Sequence, residues 1–224
     1  MLANYFAQIY IVLVGIVITP FYLVELGAEA YGLVGFFALL QAWLNLLDLG
    51  LSPTLGRQVA VSKGRPEGLV SFRGLLHCFE LIFLILSAIA FILVFTVRET
   101  IAGAWLNFSE IEQLKVESSI ALMGALVGLR WMGALYKSGV SGLEDQVWLS
   151  RFNVAAATLR FVGAYVFILI VSKDIYHFFL YQLFVGLAEL LFISWRMYSL
   201  LPKADTFAGF RRKFDWSRFK SVLP

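Results

Sequence analysis

The sequence is poor in the residue types that build most soluble functional sites. A single cysteine, Cys78, among 224 residues excludes an internal disulfide framework and a thiolate metal centre. Its expected role is that of a small apolar packing residue. Two histidines, His77 and His177, are too few to hold a metal without several carboxylates, and no cofactor is expected. Charge is scarce as well: 15% of residues are Asp, Glu, Lys or Arg, against about 25% in an ordinary globular protein. No lysine or arginine precedes Arg57, which is not the pattern of a cleaved leader with its basic start. With a formal net charge of +3 and no soluble basic domain, nucleic-acid binding is not expected.

What the chain has instead is apolar surface. Sixty per cent of its residues are apolar and 16% aromatic, with 21 Phe, and the mean hydropathy is +0.82. No soluble core could bury that much in so small a volume. The reading is an all-α, polytopic membrane helix bundle. A spanning helix needs about 20 apolar residues, and six runs qualify: 2–24, 31–55, 74–97, 118–136, 152–172 and 175–200. They define a six-helix transmembrane lobe over 1–200, followed by a basic tail over 201–224. In the connection 98–117, Ser109 with Glu112 three residues on is expected to cap a helix start. Twelve Lys and Arg fall in 56–73, 137–151 and the tail, against three on the other side, Arg98, Lys115 and Lys173. That bias places both termini and the tail in the cytoplasm.

Six ionisable residues lie inside the spans: Asp48, Glu80, Arg130, Arg160, Glu189 and Arg196. Each is costly against lipid, so each should face the bundle interior or snorkel. At a rise of about 1.5 Å per residue, Glu80, Arg130, Arg160 and Glu189 share one layer in the cytoplasmic half of the bilayer. Arg130 lies about 12 Å from the inner face on the same arithmetic. Arg196, near a helix end, is expected to snorkel. Asn153, Ala156, Ala157, Arg160, Gly163 and Ala164 share one face of the fifth span, which lets another helix approach or leaves a cavity. Gly124, Gly128 and Gly133 are expected to reduce bulk around Arg130. Two readings stand side by side: close packing with a structural Arg160–Glu189 pair, or a polar lumen in which Arg130 or Arg160 binds an anionic group.

Three stretches resemble one family. In 20–57 the spacing of Gly27, Tyr31-Gly32, Asp48-x-Gly50 and Arg57 is similar to the first two helices of the bacterial polysaccharide (O-antigen) flippases of the MOP exporter superfamily. The stretch 141–168 resembles their fourth loop and fifth helix. Phe214-Asp-Trp-Ser-Arg-Phe-Lys-Ser-Val-Leu resembles the amphipathic lead-in to their seventh. Together these cover about half of the chain. The resemblance implies a transporter of twelve to fourteen spans in two lobes, which moves polyprenyl-pyrophosphate-linked oligosaccharide across the bacterial inner membrane by alternating access. The length of this chain matches one lobe, so the expectation is a partial or half-length transporter needing a second lobe or protomer.

Arginine pairs bidentately with phosphate, so Arg130 and Arg160 are the candidate lumen ligands, with Arg57 at the cytoplasmic mouth. Asp48 or Glu189 are candidates for ion coupling, Asp48 having a structural alternative near the Asp-Leu-Gly bend. Competing readings are another MOP-type exporter lobe, an inert truncated scaffold, and a polyprenyl-phosphate sugar transferase. An enzyme is not expected, because His77 and His177 fall near opposite ends of the bundle and Glu144-Asp145 read as solvated loop charges.

Overall fold

The computed structural model describes residues 2–46, 50–63, 68–105 and 111–202. Among the described residues there are helices and short connections and no strand. Helix α1 (Leu2–Leu26) is a 25-residue run with Pro20 inside it. It stops at Gly27, whose φ of +84° admits glycine without strain. Gly27 alone separates it from α2 (Ala28–Leu46), so the link expected over 25–30 shrinks to one residue. After Gly50, again left-handed at φ +80°, α3 (Leu51–Lys63) begins with Pro53 in its first turn, where a missing N–H costs nothing. The remaining helices are α4 (Gly68–Thr100), ending in a π turn (Ile101–Trp105), α5 (Gln113–Gly142), α6 (Gln146–Thr158), a second π turn (Leu159–Gly163), α7 (Ala164–Ile170) and α8 (Ile175–Leu200).

Five helices among the described residues are long and apolar enough to cross a membrane: Asn4–Leu26, Phe72–Gly103, Gln113–Gly142, Gln146–Ile170 and Ile175–Leu200. The sixth expected span, 31–55, is instead divided between α2 and α3. Glu29, Gln41 and Asn45 dilute the hydrophobicity of α2, and Gly50 ends the run. Further boundaries differ. The helix of the third span starts six residues earlier than expected, at Gly68, and that of the fifth starts at Gln146 rather than 152, so the loop expected over 137–151 shrinks to 143–145. Helix α5 starts after Glu112 rather than at Ser109, which lies outside the described residues, and Glu112 makes no side-chain cap. It also continues through 137–142, expected to be loop, because close packing of Gly139 against Met197 on α8 and of Gly142 against Gly56 on α3 outweighs the low helix propensity of glycine. The tail beyond Pro202 lies outside the described residues.

Helix α5 is the axis of the bundle, packed against α2, α3, α4 and α8. Small residues set its distances. A Cβ on Gly124 would stand 3.1 Å from Val94, and one on Gly128 3.1 Å from Ser87, whose hydroxyl donates to Gly128 O at 3.2 Å. Gly124-x-x-x-Gly128 is thus the seam with α4, and of the three glycines expected to clear space at Arg130 only Gly133 does so. At the other end Gly142 meets the backbone of Gly56 on α3. Helix α1 runs along α6, the second π turn and α7, where Ala156, Ala157 and Ala164 are buried, the small-residue face acting as a packing face there. Cys78 is wholly buried in the core. Phe6, Ile9, Leu13 and Ile16 of α1, and Leu84, Ile85, Ile92 and Leu93 of α4, are exposed. Apolar patches of this extent are rare on soluble monomers and suit contact with lipid.

Candidate functional site

A cavity of about 200 Å³ opens where α2, α5, the second π turn and α8 meet. Its lining includes Gln41, Arg130, Gly133, Lys137, Arg160, Gly186 and Glu189. On α5 the residues Arg130, Gly133, Ala134 and Lys137 follow the i, i+3, i+4, i+7 stripe of one helix face. No atom lies within 4 Å of a Cβ placed on Gly133, which is why the face stays hollow between its two cations.

Arg160 and Glu189 form the expected ion pair. It is bidentate, Arg160 Nε donating to Glu189 Oε1 and the terminal nitrogen to Oε2. Glu189 is 8% exposed, so its charge depends on that partner. The π turn presents Arg160 here. Widening the helix by one residue releases carbonyls from the α pattern, and side chains from two other helices take them up. Tyr22 donates to Phe161 O at 2.8 Å, Tyr181 to Leu159 O at 3.0 Å and Gln182 to Arg160 O at 2.8 Å. The backbone under Arg160 is therefore pinned by α1 and α8.

Arg130 donates to the side-chain oxygen of Gln41 on α2 and lies over the Phe37 ring at 4.8 Å. Gln41 is neutral, so among the described residues no counter-ion is in hydrogen-bond contact with this guanidinium. Lys137, assigned to a loop on sequence grounds, lines the same cavity two turns further on, its Nζ 5.5 Å from the Phe152 ring centroid. Its spacing of seven from Arg130 was the signal that could have found it. Among the described residues, three basic side chains and one carboxylate line this one small volume.

The other expected residues lie elsewhere. Arg57, expected at the mouth, is exposed on α3 and is not among the residues that line the cavity. Asp48 lies outside the described residues. Glu80, expected at the depth of Arg130, does not line the cavity and instead accepts from Tyr136 at 2.8 Å and Tyr198 at 2.6 Å. Arg196 does not snorkel freely but pairs with Asp145 and lies over Trp148 at 5.1 Å. Of the two acids read as solvated, Glu144 is exposed on the surface with Lys63 at 2.6 Å. That hydrogen bond and charge hold its carboxyl below the usual range. At the opposite end Lys173 pairs with Glu25 and Lys115 with Asp174, both at 2.7 Å. One turn thereby ties α8 to the ends of α1 and α5.

No protein-family model, curated protein or solved structure matches this chain.

Proposed function

We propose that this chain forms a transmembrane lobe of a flippase that moves a polyprenyl-linked oligosaccharide across the bacterial inner membrane, its cavity receiving the anionic head group. The observation that carries the proposal is the cavity itself: cations at Arg130, Lys137 and Arg160 against one carboxylate among the described residues, Glu189, inside a bundle of membrane-length helices. Ionisable side chains within spanning helices usually mark a substrate or ion path, and an excess of positive charge selects an anion. An inert scaffold would gain nothing from carrying these desolvation costs.

In this reading α2 also crosses. Its 19 residues reach about 28 Å, close to the thickness of the hydrocarbon core, which makes a six-helix lobe with both termini in the cytoplasm. A second lobe or protomer would face it across the substrate path. Arg130 is the head-group ligand. Glu189, engaged by Arg160, can act in ion coupling only if that pair opens, and the coupling role of Asp48 stands on the sequence alone.

The test is translocation of lipid-linked glycan in membrane vesicles containing the assembled transporter. Arg130→Ala should abolish it at equal protein level, and Arg130→Lys should restore only part, since an ammonium lacks the planar fork that matches phosphate. Normal translocation by the alanine variant removes Arg130 from the mechanism.

A further inference from the structure

We infer that Lys137 is the second cationic ligand of the head group, acting with Arg130 from the same face of α5, while Arg160 is held by Glu189. The inference deepens the transport reading and rests on it for the source of the head group. Anion binding by Lys137 is measurable apart from transport.

The three cations differ in what they are already doing. Both donor edges of Arg160 used in its fork are engaged with Glu189, so those two charges offset each other. Arg130 has a neutral acceptor in Gln41. Lys137 has neither a hydrogen bond nor an ion pair among the described residues; its ammonium lies 5.5 Å from the Phe152 ring centroid, and Glu189 reaches it only through space. A lysine inside a spanning helix whose ammonium finds no acceptor is the costliest of the three arrangements. The cost is recovered when an oxyanion enters and supplies the acceptors.

Charge and size then narrow the ligand. With Arg160 and Glu189 offsetting each other, Arg130 and Lys137 are two positive charges without a paired carboxylate among the described residues, about 10 Å apart along α5. A diphosphate diester carries two negative charges spread over two phosphoryl groups, whereas a phosphodiester carries one. The cavity, at about 200 Å³, falls below the roughly 300–1,000 Å³ of sites that enclose a drug-sized ligand. It suits a diphosphate and leaves an oligosaccharide outside. The hollow at Gly133 and Ala134 lies between the two cations, where a bridging oxygen would pass.

The experiment measures binding calorimetrically on the full chain in detergent, with inorganic pyrophosphate, orthophosphate and a short-chain polyprenyl diphosphate as probes. The wild type should bind both diphosphates more tightly than orthophosphate. Lys137→Met, which keeps the stem against Phe152, should weaken diphosphate binding by about 10- to 100-fold, the range expected for losing a charged hydrogen-bonding partner. Lys137→Arg should recover most of it, and Lys63→Gln, at a cation outside the cavity, should bind as wild type. Tighter binding of the polyprenyl form assigns the head group to a membrane lipid, and equal binding assigns it to a soluble diphosphate; either supports the ligand role. Binding by Lys137→Met equal to wild type overturns the inference while leaving the transport reading standing. A wild type that binds neither diphosphate sinks the anionic-cavity reading and the inference with it. If Lys137→Met does not fold, amine labelling of the wild type decides: pyrophosphate should protect Lys137 and not Lys63, and equal labelling of Lys137 with and without it overturns the inference.

Discussion

Removing one half of the Arg160–Glu189 pair leaves the other charge inside the bundle without its counter-ion. Arg160→Gln or Glu189→Gln alone should therefore cost about 3–5 kcal/mol, and the double substitution less than either. Reversible unfolding in mixed micelles measures the cycle, and strict additivity would show the two to be independent. This pair was legible in the sequence because both residues fall at similar depth on consecutive spans. Lys137 was not, since a helix end drawn at 136, six residues before Gly142, moved it from the bundle into a loop. At the N-terminus of α8, partial burial pushes Asp174 up, but the hydrogen bonds from Lys115 and the Tyr176 N–H outweigh it and hold its carboxyl below the ordinary 3.8. A lowered folded value makes its contribution complete above that ordinary value and lost as pH falls through the lowered one. The protection factors of the amides at the start of α8, which correct for the intrinsic pH dependence of exchange, should fall only below about pH 4, and Asp174→Asn should abolish that dependence.

Elements here are defined by where helices approach and where they widen. Gly142→Ala places a Cβ 2.3 Å from the Gly56 carbonyl oxygen on α3, backbone against backbone, and should destabilise by about 1–3 kcal/mol. Gly133→Ala meets nothing within 4 Å and should be neutral or stabilising by up to about 1 kcal/mol through helix propensity. Thermal unfolding of the two variants side by side distinguishes them, and equal losses would contradict the assigned packing. The π turn has its own signature. Tyr22→Phe and Tyr181→Phe each remove one donor to a released carbonyl and should each cost about 1 kcal/mol. Small residues spaced at helix period announced that helices come close, but not which ones. Gly124 and Gly128 turned toward α4 rather than the cavity because the Val94 and Ser87 side of α4 fits against them. Nothing local in Leu159-Arg-Phe-Val-Gly163 marks a π turn, whose carbonyls are satisfied by residues from α1 and α8.

For the whole molecule, orientation is the open quantity, and the distribution of Lys and Arg decides it. Moving Lys137 from a loop into α5 leaves the excess on the same side. A reporter fused after Lys63 should be cytoplasmic and one fused after Lys173 extracytoplasmic, and reversed signals would overturn the orientation. Composition alone determined that the chain is helical and fit for a membrane, since 60% apolar residues in 224 leave too little polar surface for a soluble fold and lipid admits helices whose backbone bonds are internal. Periodicity further determined which residues share a helix face, including Arg130 with Gly133. Only the tertiary structure decided that Arg130, Lys137 and the Arg160–Glu189 pair enclose one cavity while Glu80 joins Tyr136 and Tyr198 outside it. The physical reason is range: the helical period acts over a few residues, whereas the facing of one helix toward another is set by packing between segments far apart in the chain.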